Sequence, residues 1–376
     1  MPDYRQAFPD FAPTIYLDCA YQGPFPRATV QRLYQAIELK CHPERLAAPE
    51  YFSLPERVRA HLAALMGAEQ GEIALTNSVT QGIGVIAAGL GLKAGDEVVI
   101  ASSNFPSNLF TWLHLRRLGV VVHVLKPVGG AVTPDQVAAV LNSHTRVLAL
   151  DWVGYSTGYR IDLAAFGELA HRRGAIFVVD GTQGVGAWEL NLHALPVDVM
   201  AVAAYKWLLA PYGTGCVYLS REVLGRLDLQ VVNWYSVEGS DDFDALPIDQ
   251  FTLPRAARVF DVGETANFIN LYGLEASLEF IRGATVAAVS RHCSRLLDRL
   301  REGLRRKGYQ LSAAAQPEHR STVQGFQASS LEATAAIHQK LRANHVAISL
   351  RHGMIRVSPY LYNDEADIDR LLGLLF

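Results

Sequence analysis

The feature that most limits the fold of this chain is a series of short apolar runs that alternates with helical segments from about residue 56. The runs are rich in β-branched residues and apolar throughout, which is typical of strands covered on both faces. The helical segments between them have the length that crossovers in a parallel sheet require. The alternation predicts a doubly wound α/β domain. The runs are EIALT, DEVVIAS, VVVHVL, TRVLALDWV, AIFVVD and DVMAVAA.

The pattern changes after residue 255. A long helical stretch covers 271–308, with a break predicted near Gly283, and short strands and helices follow it. We therefore expect a large α/β domain and a smaller α+β domain, which a chain of 376 residues can accommodate. The predicted parts are an N-terminal segment that packs on the small domain (1–17), the large domain (18–255) and the small C-terminal domain (256–376).

Composition argues against several classes of protein. A net charge of −3 gives no electrostatic reason to expect a nucleic-acid or membrane partner. No apolar run is long enough to span a bilayer, and the first residues do not resemble a signal peptide. The four cysteines form no C-x-x-C pair and the histidines form no H-E-x-x-H motif. We therefore predict no metal site and no disulfide framework, and we expect a cytoplasmic protein.

Lys206 stands at an unusual place, directly after the apolar run VMAVAAY and before a Pro/Gly turn. A buried ammonium is costly, so such a lysine snorkels, pairs with an acid or loses its charge to chemistry. Asp180 and Gln183 follow a neighbouring strand, while Ser78 and Thr80 begin a helix whose free N–H groups suit phosphate. Because ligands bind beyond the carboxyl ends of such strands, this set suggests a Schiff-base cofactor with a phosphate.

The sequence from VVDGTQGVGAWELN to AAYKWLLAPYGTG resembles the cofactor segment of class V aminotransferase-like enzymes. These enzymes use pyridoxal phosphate on fold type I and include cysteine desulfurases, isopenicillin N epimerase, kynureninase and several amino-acid lyases. The resemblance extends to YLDCAYQGPFP near the start, to SVTQGIG and to GMIRVSPYLYND near the end. It implies an amino-acid substrate and a homodimer with a shared active site.

The resemblance also implies roles for single residues. Lys206 would form the internal aldimine and shuttle protons. Asp180 would pair with the protonated pyridine nitrogen, and Gln183 would donate to the phenolic oxygen of the ring. Arg356 would bind the α-carboxylate, for which its planar fork is suited.

The phosphate group has its own expected partners. The resemblance assigns it to Val79 and Thr80, and to the phenol of Tyr205, since Ala203 offers no hydroxyl. Thr265 in GETAN is similar to a threonine that reaches the phosphate of the neighbouring subunit.

Two aromatic residues are expected at the cofactor ring. Phe105 would stack on it where desulfurases carry a histidine, so proton transfer would be left to Lys206. Tyr155 would contact the ring or its oxygen. Further candidates for the substrate pocket are Tyr21, Gln22, Trp234 and Tyr360.

Several reactions stay open. A desulfurase needs a mobile cysteine before the Arg356 segment, and HVAISLRHGMIRVSPY contains none. Kynureninases typically have Asp and His where this chain has Asn108 and Gln183. An aminotransferase, a β-eliminating C–S lyase and an epimerase all begin with the same proton abstraction.

Two hypotheses belong to other classes. GIGVIAAG loosely fits a nicotinamide-binding loop, but TNSVTQ separates it from its strand and Asp96 precedes the next strand. A non-catalytic binding protein with this fold is disfavoured because Asp180, Lys206 and Arg356 are all present.

Overall fold

The computed structural model describes residues 4–263, 267–312 and 316–375. The strands are β1 (Ile15–Tyr16), β2 (Ile73–Thr76), β3 (Glu97–Ala101), β4 (Val121–Leu125), β5 (Thr145–Asp151), β6 (Ile176–Asp180), β7 (Val199–Ala203), β8 (Gly215–Leu219), β9 (Gln310–Leu311), β10 (Gln324–Gln327), β11 (Val346–Ala347), β12 (Ser349–Arg351) and β13 (Met354–Val357). The α-helices are α1 (Arg27–Cys41), α2 (Glu50–Met66), α3 (Val79–Gly89), α4 (Ser107–His114), α5 (Pro134–Ala138), α6 (Leu163–His171), α7 (Arg221–Leu224), α8 (Phe268–Ala284), α9 (Val286–Arg306), α10 (Leu331–Ala343) and α11 (Glu365–Leu374).

A seven-stranded sheet in the order β2-β8-β7-β6-β5-β3-β4 forms the centre of the large domain. Each of the six apolar runs contributes one of its strands, and β8 runs antiparallel to its two neighbours, β2 and β7. Two apolar cores cover the sheet, one on each face, which explains why the strands are apolar along their whole length. The predicted doubly wound, mainly parallel sheet is confirmed.

The reversal at β8 has a local cause. Segment 204–214 joins β7 to β8 and contains no helix, so it is too short for a right-handed crossover and turns back instead. The turn lies beyond the carboxyl end of β7 and carries Lys206. The sheet topology therefore places this lysine at the edge where ligands bind.

The small domain contains the antiparallel sheet β12-β13-β10-β9, which packs against α9 and α10, and α11 packs on these two helices. Ile15 and Leu17 of the N-terminal segment belong to its apolar core, and β1 pairs with β11. The long helical stretch is broken at Thr285, where φ is +67°, next to the predicted position. Helix α8 packs on α1 and α2 of the large domain. None of the described helices is both long enough and apolar enough to cross a membrane.

Candidate active site

Side chains at the carboxyl ends of several strands line a cavity of about 170 Å³. Asp151 and Asp180 end β5 and β6 and are register partners, so their carboxyl groups lie side by side. Lys206 comes from the turn after β7, Phe105 from the loop after β3, and Thr80 from the first turn of α3. The parallel sheet thus brings together residues that are far apart in the chain.

Lys206 is buried in this cavity, with 6% of its surface exposed. Its Nζ lies 5.0 Å from the centre of the Phe105 ring. Burial lowers the pKa of Lys206 to about 8, although the negative charges of Asp180 and Asp151 oppose the change. The amine is therefore partly unprotonated near neutral pH, as a nucleophile or general base requires.

Asp180 is also buried, and its Oδ1 accepts the backbone N–H of Thr182 at 2.9 Å. Burial raises the pKa of this carboxyl above its ordinary value, while the Thr182 hydrogen bonds and Lys206 lower it. An acid in this setting is stabilised as the carboxylate when a cationic group is placed next to it. Asp180 can therefore pair with a protonated ring nitrogen, as predicted for it.

Asp151 was missed by the sequence analysis, although it ends a strand next to the one that ends in Asp180. Its carboxylate accepts the backbone N–H of Phe105 at 2.6 Å and the side-chain amide of Asn108 at 3.0 Å. Burial, and then the charge of Asp180, raise the pKa of Asp151 well above its usual range. Asp151 therefore holds the loop that presents Phe105 to the cavity.

The first turn of α3 forms the other end of the cavity. Ser78 caps the helix by accepting the N–H of Gln81 at 3.2 Å, and the N–H groups of Val79 and Thr80 have no acceptor within the helix. The hydroxyl of Thr80 hydrogen-bonds that of Ser107 at 2.7 Å. Two hydroxyls and a helix N-terminus make a cup for a phosphate group. Ser107 was not predicted.

Gln183 is held by two buried hydrogen bonds. Its Nε2 donates to the carbonyl of Ala20 at 2.9 Å, and its Oε1 accepts the indole N–H of Trp207 at 2.8 Å. Gln183 also lines the first cavity. Tyr205 stacks on Tyr212, with 4.1 Å between ring centres, and both rings line the cavity. Tyr212 was not predicted.

A second cavity, of about 250 Å³, adjoins the first. The two share a wall that contains Lys206 together with Phe105, Tyr155, Tyr205 and Tyr212. Lys206 is therefore accessible from both cavities. The second cavity is also bounded by Ala20, Tyr21, Gln22, Arg351 and Arg356.

Arg356 in the second cavity is 2% exposed, and hydrogen bonds to other residues hold its guanidinium in place. Its guanidinium donates to Asp18 at 3.0 Å and to the carbonyl of Tyr155 at 2.8 Å, while its buried Nε has no hydrogen-bond partner among the described residues. The Tyr155 hydroxyl in turn lies 2.5 Å from Nε2 of His352. An unsatisfied buried donor next to a cavity is suited to a carboxylate ligand.

Not every predicted site residue can be placed in this site. Thr265 lies outside the described residues. Trp234 packs against Phe52 and Tyr235, and Tyr360 is fully buried against Phe8 and Trp207. Neither of the two lines either cavity of this subunit, and their place in the substrate pocket stays a prediction. Both were proposed from local sequence, which does not show the direction in which a side chain points.

Comparisons with known proteins identify the family of this chain. The family model described as "Aminotransferase class-V" matches residues 28–371. A probable cysteine desulfurase from Methanothermobacter thermautotrophicus is 27% identical over 303 residues, which are 79% of this chain and 74% of the relative. An isopenicillin N epimerase from Amycolatopsis lactamdurans is 27% identical over 368 residues, 94% of this chain and 92% of the relative.

Among solved structures, a lysine-to-alanine mutant of C-DES, with glycine covalently linked to its PLP cofactor, is similar at a TM-score of 0.89. The two chains are 22% identical, and the match covers 99% of this chain and 98% of that chain. This likeness confirms the predicted fold. The family match extends over both predicted domains and includes Asp180, Lys206 and Arg356. The chain therefore belongs to the class V aminotransferase family of pyridoxal-phosphate-dependent enzymes.

Proposed function

We propose that this enzyme removes the Cα proton of an amino acid and then eliminates a leaving group from Cβ. The observation that carries the proposal is the position of Lys206, a buried amine between two adjoining cavities. One cavity contains a phosphate cup and the carboxylate of Asp180, and the other contains the guanidinium of Arg356. A cofactor in the first and an amino acid in the second would both be within reach of the amine.

The residues of the first cavity fit pyridoxal phosphate. Lys206 would hold its aldehyde carbon covalently and Asp180 its ring nitrogen, while Phe105 would cover the ring. The first turn of α3, with Thr80 and Ser107, would hold the phosphate. When bound, the cofactor supplies a sink for the electron pair that remains on Cα after the proton leaves.

The protein's own groups would orient the substrate and move the proton. Arg356 would fix the α-carboxylate and thereby the direction of the Cα–H bond. Nζ of Lys206 would accept the proton, because Phe105 has no group that exchanges one. After the proton is removed, the bond from Cβ to the leaving group breaks.

A persulfide route is not part of this proposal. The hairpin between β12 and β13 closes through the two residues His352 and Gly353, and no cysteine lines either cavity. Cys19 lies behind Lys206, with its Sγ 3.9 Å from the lysine carbonyl oxygen, and is fully buried. Burial raises the pKa of its thiol well above the ordinary value. A sulfur leaving group would therefore depart directly from Cβ.

An aminotransferase is the second candidate, because the family match and the same three residues are compatible with it as well. Absorption spectra of the purified protein with pyridoxal phosphate test both candidate functions. We expect a visible band that borohydride removes and that shifts with one member of an amino-acid panel. Ammonia released with a keto acid identifies a lyase, and pyridoxamine phosphate identifies a transferase. A protein that stays colourless with the cofactor contradicts the proposal.

Replacing Arg356 tests the carboxylate site. We expect Arg356→Gln to raise KM about 10- to 100-fold, because a charge-assisted fork is lost, with a smaller effect on kcat. The change also leaves Asp18 buried without its partner, so Tm should fall. The double variant Arg356→Gln/Asp18→Asn should recover Tm but not KM. A KM that recovers together with Tm would remove Arg356 from the substrate site.

We further propose that the enzyme is a cytoplasmic homodimer. Its four cysteines are free, as in a reducing compartment. Apolar side chains are exposed along 231–251 of this subunit, which is typical of a surface that a second copy covers. Sedimentation velocity should show a dimer at micromolar concentration; a monomer would contradict the proposal. The most exposed of these side chains are Val231, Ile248 and Phe251.

A further inference from the structure

The hairpin of β12 and β13 carries two arginines, Arg351 and Arg356, and both line the second cavity. In the register of the hairpin, Arg351 is opposite Met354 and Arg356 is opposite Ser349. Cross-strand partners, and residues two apart on a strand, share one face of a sheet. Both arginines therefore lie on the face from which Ser349 contacts Asp18. They are diagonal neighbours, whose backbones are roughly 7–8 Å apart.

The turn of this hairpin fixes Arg351 in place. His352 and Gly353 alone connect the strands, with φ of +49° and +77°. Positive φ at both central residues is the conformation of the tight turn that matches the twist of a hairpin. Arg351 is thus the last residue of a short strand, directly before the turn.

The two guanidinium groups have different surroundings. Arg356 is paired with Asp18 at 3.0 Å. The guanidinium carbon of Arg351 lies 5.8 Å from the centre of the Tyr21 ring, and one nitrogen donates to the carbonyl of Leu350 at 3.1 Å. Within the part of the chain that the structure describes, no carboxylate forms an ion pair with Arg351. Arg351 therefore contributes an unbalanced positive charge at the cavity wall.

The positive charge of Arg351 acts on the other cations of the cavity. Burial and, to a smaller extent, Arg351 lower the pKa of both Lys206 and Arg356. The charged side chains that line the second cavity are these three cations, and no acid lines it. A ligand with a single carboxylate would occupy Arg356 and leave the charge of Arg351 without a partner.

We propose that Arg351 binds a second anionic group, carried by the side chain or leaving group of the substrate. This inference rests on the proposed function, in which Arg356 binds the α-carboxylate. The preferred substrate is then an amino acid with two anionic groups, and the spacing of the hairpin positions selects its length. Arg351 is only half-buried, so the anionic end of the substrate lies toward the mouth of the cavity.

Calorimetry on the holoenzyme tests whether Arg351 binds a second anionic group. The probes are glutarate and glutaramate, in which a neutral amide replaces one of the two carboxylates of glutarate. Neither has an α-amino group, so binding does not depend on turnover. We expect the wild type to bind glutarate about tenfold more tightly than glutaramate. In Arg351→Gln the two affinities should agree within about twofold, with glutaramate unaffected. Arg342→Gln, at an exposed position of α10, should behave as the wild type.

The outcomes separate this inference from the proposed function. A yellow, borohydride-sensitive holoenzyme that binds both compounds equally, or binds neither, overturns the role of Arg351 alone. The role of Arg351 is also overturned if the Arg351→Gln variant keeps the preference for glutarate over glutaramate. A protein that forms no visible band with pyridoxal phosphate overturns the proposed function, and the role of Arg351 with it.

Discussion

Replacing Lys206 with alanine is expected to lower kcat by a factor of about 10⁴ or more. The ε-amine is the covalent anchor of the proposed cofactor and the only general base in the proposed proton transfer, so both functions are lost together. Cofactor should still bind without a covalent bond, because the phosphate cup of α3 and Asp180 remain. Stopped-flow kinetics and a borohydride-resistant absorption band would show the two effects separately.

Lys126→Ala is the matched control for this variant. Lys126 directly follows β4, at the same edge of the sheet, but its side chain is exposed. Its replacement should leave kcat and the absorption band unchanged. A Lys206→Ala variant with wild-type kcat would exclude Lys206 from the chemistry.

The lowered pKa of Lys206 predicts a pH dependence for the capture of the cofactor by the apoprotein. Only the neutral amine attacks an aldehyde, and its pKa is lowered to about 8 by burial. The rate at which apoprotein captures pyridoxal phosphate should therefore rise about tenfold per pH unit below 8 and level off above it. Stopped-flow absorbance measures this rate. A rate that rises steadily to pH 10 would mean that the lysine titrates at its ordinary value.

Asp180→Asn is expected to lower kcat about 10²- to 10³-fold. A neutral amide cannot keep a proton on the ring nitrogen, so the electron sink is weakened while the shape of the site is kept. At high pH the apoprotein of this variant should be at least as stable as that of the wild type. The reason is that burial raises the pKa of Asp180, so that its ionised form costs folding free energy at high pH. That gain in Tm should shrink as pH falls and the carboxyl takes up a proton.

Asp198→Asn is the control for Asp180. Asp198 is also buried, but it precedes β7 at the opposite end of the sheet, where it accepts the backbone N–H of Phe177 at 2.7 Å and contacts His171. Its replacement should lower Tm and leave kcat nearly unchanged. If instead Asp180→Asn lowers Tm with unchanged kcat, Asp180 has a structural role only.

Much of the site could be predicted because many of its residues come directly at or after the ends of strands. In a parallel sheet the carboxyl ends meet at one edge, so Asp180, Lys206 and the start of α3 were placed together before their distances were known. Asp151 obeys the same rule and could have been found by it. Ser107 and Tyr212 follow strands too, but several residues beyond the strand end, where packing sets the direction of a side chain.

The sequence by itself determined the class of the fold and the family, since both depend on patterns that are local in the chain. Continuous apolar runs with the length typical of buried strands specify the sheet, and the Asp180–Lys206 segment specifies the cofactor. Only the tertiary structure decided which side chains surround the substrate. The pairing of Asp18 with Arg356, and the face on which Arg351 lies, depend on strand register and on contacts between residues more than 300 positions apart. The contact between Asp18 and Arg356 forms only when distant parts of the chain come together in the fold, and no local pattern records it.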